Sequence, residues 1–153
     1  MDKQEQKMID FVATCDDPDK LRTMAANAER LGASALKEAA KRRLFAILPS
    51  EQPGTLEYEV WRSIYALEDA LREERGKTVL LARTRQKIKR EGERKCVEDL
   101  VLGSESDGFK MLKDRDMLDL AFEAVALQFQ SQFSDEVLEA ARLRLEAAGY
   151  SGK

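Results

Sequence analysis

Between Leu56 and Leu71 the apolar residues Leu56, Val60, Ile64, Leu67 and Leu71 recur at intervals of three or four, and neither proline nor glycine interrupts the run before Gly76. That period is the repeat of one helix face and is out of step with the two-residue alternation of a strand. The spacing therefore predicts one long α-helix whose apolar stripe must be covered along its length, the central core helix of a helical fold. Trp61 and Tyr65, one turn apart on its flank, are expected to stack side by side.

The remaining segments carry the same period between helix start and stop signals. Met8, Ile9, Phe11 and Val12 give a first helix an apolar face. Asp17-Pro18 then restarts the chain, with the aspartate as N-cap and the proline at the first helical position, where its missing N–H costs nothing. Leu21, Met24, Ala25, Ala28 and Leu31 make the next stripe, which Gly32 is placed to end in the left-handed conformation. Ser34 is the expected cap of a third helix with Leu36, Ala39, Ala40, Leu44 and Leu48 inward and Lys37, Lys41, Arg42 and Arg43 outward. These two helices form a hairpin. Pro49-Ser50-Glu51-Gln52-Pro53-Gly54 cannot continue a helix and reads as a linker, after which Thr55 reopens one.

Beyond the central helix, further breaks are expected at Gly76, Gly92 and Gly103, followed by a polar loop from Ser104 to Gly108. Met117, Leu118, Ala121, Phe122, Val125, Ala126 and Phe129 predict another apolar helix. Ser134-Asp135-Glu136 opens the last one with an acidic first turn, favourable at a helix N-terminus. At an offset of 101 residues, Leu36 to Leu44 resembles Val137 to Leu145. Shared amphipathic composition explains that match more simply than a true repeat.

Only three prolines occur in 153 residues, and Ala, Leu, Glu, Lys and Arg dominate, which favours helix over strand. With 43% hydrophobic and 36% charged residues, the chain has the make-up of a folded domain. The reading is an all-α, compact multi-helix domain of about seven to nine helices, built from helical hairpins around a central core helix. It spans 1–153 as a single domain, with an N-terminal hairpin subdomain 1–48, a linker 49–54 and a main helical part 55–149.

The composition also narrows the chemistry. There is no histidine, which removes the usual general base and the commonest metal ligand. The acidic pairs Glu57 and Glu59, Glu68 and Asp69, and Glu73 and Glu74 read as exposed helix faces; the helical di-metal sites need a Glu-x-x-His pattern. Cys15 and Cys96 lack a histidine to activate them and read as reduced buried thiols, although Arg94 and Lys95 would favour a thiolate at Cys96 if it were exposed. No glycine-rich loop has the lysine and spacing of a phosphate cradle. The expectation is no catalytic residue, no metal and no cofactor. The polar N-terminus has no apolar core of a signal peptide and no run approaches a membrane span, so a cytoplasmic protein without membrane contact is expected.

The one segment that points outward in function is Arg75 to Lys95. It holds nine Lys or Arg against Glu91 and Glu93, a charge of +7 in a chain of net −3, so the other residues sum to −10. Charge localised in this way implies a localised partner surface. On a helical wheel, Arg83, Lys87, Arg90 and Arg94 fall on the side opposite Leu81, Thr84 and Ile88, provided the helix continues past Gly92. Arg85 and Lys89 occupy the flank, and Lys95 is taken with them as a supporting contact. The leading expectation is a non-enzymatic nucleic-acid-binding or nucleic-acid-associated accessory protein, with Arg83, Arg85, Lys87, Lys89, Arg90, Arg94 and Lys95 contacting phosphates. No aromatic residue lies between Tyr65 and Phe109 to stack on a base, which disfavours single-strand recognition. The alternative is a helical protein–protein interaction module or regulatory adaptor that offers the same basic face to an acidic protein partner. The plainest reading of any charged helix face is that it is solvated or paired within its own fold.

Overall fold

The structure, a computed structural model, describes residues 2–151. Among these residues there are nine α-helices, two short 3-10 turns and no strand. The chain divides into two compact units, Met1–Ser50 and Glu51–Lys153. The boundary falls inside the proline- and glycine-marked stretch 49–54.

The first unit contains α1 (Lys3–Val12), α2 (Pro18–Arg30) and α3 (Ser34–Ile47). Asp2 caps α1 by accepting from the Glu5 amide at 2.7 Å. Asp17 caps α2 by accepting from Asp19 and Lys20, with Pro18 at the first helical position. Gly32, at φ 73°, turns the chain out of α2, and the Ala33 amide donates back to the Ala28 carbonyl at 2.8 Å. This paired arrangement satisfies carbonyls that the helix end would leave open. α2 and α3 then pack as a hairpin, with α1 against α3.

Three details differ from the sequence expectation. Ser34 stands inside α3, preceded by Ala33, and no side chain caps that end. Lys41, expected outward, is buried, and Phe45 joins it in the interior. Phe11 and Leu31, expected inward, are 50% and 72% exposed. The inward stripes are accordingly narrower than the apolar periodicity, and Arg43 supplies part of the hold instead. It donates to the Cys15 carbonyl at 2.9 Å and the Asp16 carboxylate at 2.6 Å, fastening the α1–α2 turn to α3.

The second unit is organised by α4 (Leu56–Arg75), which Thr55 caps through the Tyr58 amide and Gly76 ends at φ 69°. Around it come α5 (Ala82–Glu91), α6 (Glu93–Leu102), α7 (Asp107–Asp114), α8 (Phe122–Gln128) and α9 (Asp135–Ala147). α4 packs against α6, α7 and α8, and α6 packs against α8 and α9. Val60, Ile64, Val97, Val101, Val125 and Val137 are enclosed at the centre. Burying each such side chain contributes about 1.5–3 kcal/mol. Ser106 and Ser134 cap α7 and α9 by accepting from Phe109 and Val137 amides. The segment expected as one apolar helix from Met117 to Phe129 is instead a 3-10 turn at Leu118–Leu120 followed by the seven-residue α8.

No helix among the described residues is long and apolar enough to cross a membrane.

Candidate nucleic-acid interface

The basic segment occupies the loop after α4, all of α5 and the start of α6. Gly92 decides its shape. With φ 91° and ψ 165° it ends α5 and starts α6, in a backbone region essentially reserved for glycine. The four-cation stripe expected on a continuous helix is therefore not formed. Arg83, Lys87 and Arg90 belong to α5, while Arg94 sits on α6.

Arg85 is drawn into the fold. Its Nε and one Nη donate to the two carboxylate oxygens of Glu68, each at 2.7 Å. The guanidinium also lies 5.1 Å from the Trp61 ring centre and 5.8 Å from that of Tyr65, within cation–π range. The two rings are neighbours at 6.2 Å but tilted by 45°, without parallel stacking. Glu68, expected on an exposed face, is buried, and it accepts a third hydrogen bond from the Leu81 amide at 2.9 Å. The Glu68 carboxylate holds the Arg85 guanidinium above its ordinary pKa. An arginine committed to a carboxylate and two rings is not free to bind a phosphate.

Lys87 and Lys95 converge on Asp99 of α6. Lys87 also reaches Glu91 at 3.1 Å, and Lys95 reaches Glu98 at 2.9 Å and Asp99 at 3.1 Å. Hydrogen bonds to Asp99 and then Glu91 raise the Lys87 pKa, and those to Glu98 and then Asp99 raise that of Lys95. Reciprocally, Lys87 depresses Glu91, and Lys87 with Lys95 depresses Asp99. The cluster clasps α5 to α6, with Trp61 Nε1 donating to Glu93 at 3.0 Å beside it.

The remaining cations are differently placed. Arg83 and Lys89 are exposed and have no charged or hydrogen-bonding side-chain partner among the described residues. Arg90 is 68% exposed, with one contact to its neighbour Glu91 at 3.3 Å. Arg94 stands 3.8 Å from Glu98, at the edge of an ion pair, and is also exposed. Arg83 and Arg90 share a face of α5 about 10 Å apart along its axis, and Lys89 lies on the flank. Arg75 and Lys77, just upstream, are exposed as well.

Cys96 is fully buried and its thiol is pushed up to about 11, chiefly by burial. The thiolate that Arg94 and Lys95 would favour at the surface is thereby disfavoured. Among the described residues no group of three or more His, Cys, Asp and Glu is arranged to hold a metal ion.

What sequence reasoning missed is the acidic half of this region. Glu68 lies 17 residues from Arg85 and Asp99 lies 12 from Lys87, and neither separation carries a local helical signal. Comparison with protein-family models, with curated proteins and with solved structures finds no match for this chain.

Proposed function

We propose that this protein is a non-enzymatic nucleic-acid-associated accessory protein that contacts phosphates through Arg83, Lys89 and Arg90 of α5, with Arg94 at the start of α6. The observation that carries this reading is the division of labour within the basic segment. Arg85, Lys87 and Lys95 are committed to buried or clustered carboxylates, whereas the proposed four stay exposed with weak or no acidic partners. Exposed guanidinium and ammonium groups release counterions from a polyanion and position it without reading its sequence.

The reduced set has a measurable consequence. Three to four phosphate contacts lower affinity about 40- to 150-fold between 50 and 200 mM salt, whereas all seven would lower it about 6,000-fold. Fluorescence anisotropy with a labelled duplex across that range supports the proposal if the smaller dependence is found. Absence of binding at 50 mM salt overturns it.

The second reading is an acidic protein partner on the same face. It is favoured by Leu80, 57% exposed within the basic segment, because an apolar anchor rimmed by charge is typical of protein interfaces.

A further inference from the structure

Residues Lys77 to Leu81 carry the chain from the end of α4 to the start of α5. Val79 and Leu81 are half-buried there, but the side chain of Leu80 between them is 57% exposed. The backbone that presents it is tied down on its C-terminal side. The Leu81 amide donates to the buried Glu68 carboxylate at 2.9 Å, and the Leu80 carbonyl accepts from the Ala82 amide at 2.9 Å. A bulky apolar group is thus kept in water by a fixed backbone. Its neighbours along the chain are of one sign. No Asp or Glu lies between Glu74 and Glu91, and the exposed cations Lys77 and Arg83 stand three residues to either side of Leu80. Three residues span at most about 10 Å, so both charges reach the borders of any surface that Leu80 touches. A rim this uniformly positive suits a polyanion better than a protein surface of mixed charge.

We propose that Leu80 is a wedge for duplex nucleic acid, entering the minor groove and parting two stacked base pairs while Lys77 and Arg83 hold phosphates on either side. The proposal rests on the phosphate-contacting role of α5 and adds to it the way the duplex is engaged. Leucine is among the side chains that insert between base steps and kink the helix toward the major groove. An aliphatic wedge needs no aromatic platform, in keeping with the absence of aromatic residues between Tyr65 and Phe109. TA and CA steps deform at least cost, so a wedge gives a preference of position to a protein that reads no base edge.

The test uses the full chain at about 50 mM salt, where phosphate contacts are strong. The probe is a duplex of about 20 base pairs, with end labels for energy transfer and 2-aminopurine beside a single central TA step. Binding should bend the duplex by about 20–90°, raising energy transfer, and should raise 2-aminopurine fluorescence as the step unstacks. Leu80→Ala, a substitution at an exposed position with little effect on stability, should still bind within about tenfold of wild type, because the phosphate contacts remain. It should abolish both signals, and Leu80→Met, which keeps a long apolar side chain, should restore them. Binding without bending and unstacking, or signals undiminished in Leu80→Ala, overturns the wedge and leaves the phosphate contacts standing. Absence of binding to the duplex overturns both and leaves Leu80 to an acidic protein partner.

Discussion

Glu68 accepts two hydrogen bonds from Arg85 and one from the Leu81 amide, so one buried carboxylate fixes both where α5 begins and how its inner face lies on α4. Its substitution leaves a guanidinium and an amide short of an acceptor. Glu68→Gln is expected to destabilise the protein by about 1–3 kcal/mol, the cost of unsatisfied buried polar groups, measured by urea denaturation with an unchanged slope. A change below 0.5 kcal/mol would place Glu68 among ordinary surface acids. The residue scale was the least legible in the sequence. Leu56, Val60, Ile64, Leu67 and Leu71 are all buried as their spacing predicts, whereas Phe11 and Leu31, on the stripes of shorter helices, are exposed. The commitment of Arg85, and the inward position of Lys41, depend on partners brought close only by folding.

At the scale of elements, most helix boundaries were legible because they are written in caps. Asp17-Pro18, Gly32, Thr55, Gly76 and Ser134 stand where their side chains or backbone freedom require. The α5–α6 junction shows how much rests on one such residue. A Cβ at Gly92 would meet no atom within 4 Å, so Gly92→Ala isolates backbone conformation from packing. It is expected to cost about 1–3 kcal/mol, read as a lowered midpoint in denaturant. The clasp between the same helices sets a dependence on acid. Glu91 and Asp99 titrate below their ordinary 4.5 and 3.8 in the fold, held down by Lys87 first. A carboxylate depressed on folding stabilises above its unfolded pKa and loses that contribution as pH falls through its folded value. Thermal stability should therefore hold down to about pH 5 and decline below 4, more steeply than in Lys87→Gln, where the largest cause of both depressions is already removed. Equal profiles for the two proteins would remove the clasp from the account. The loss of helix between Met117 and Phe122 was not legible, since a 3-10 turn and an α-helix share apolar spacing over so short a stretch.

On the scale of the whole molecule, the charge of the chain is distributed with purpose only if the exposed cations are distinguished from the paired ones. The sequence located the basic segment and its sign. It could not show that Glu68 neutralises Arg85 and that Asp99 neutralises Lys87, because folding alone brings those acids, on α4 and α6, to the cations of α5. The proposed function accordingly rests on a subset, and the subset makes it open to direct contradiction. The deciding measurement is duplex affinity at about 50 mM salt, where phosphate contacts are strong, for two double variants that each remove two positive charges. Arg83→Gln with Arg90→Gln takes them from the exposed face, and Lys87→Gln with Lys95→Gln from the clasp. The first pair is expected to reduce affinity at least tenfold with stability unchanged. The second is expected to lower stability and, while the protein remains folded, to leave affinity within about threefold of wild type, since only weak long-range attraction is lost. Equal losses of affinity from both pairs, or none from the first, would contradict the assignment of phosphate binding to the exposed face of α5.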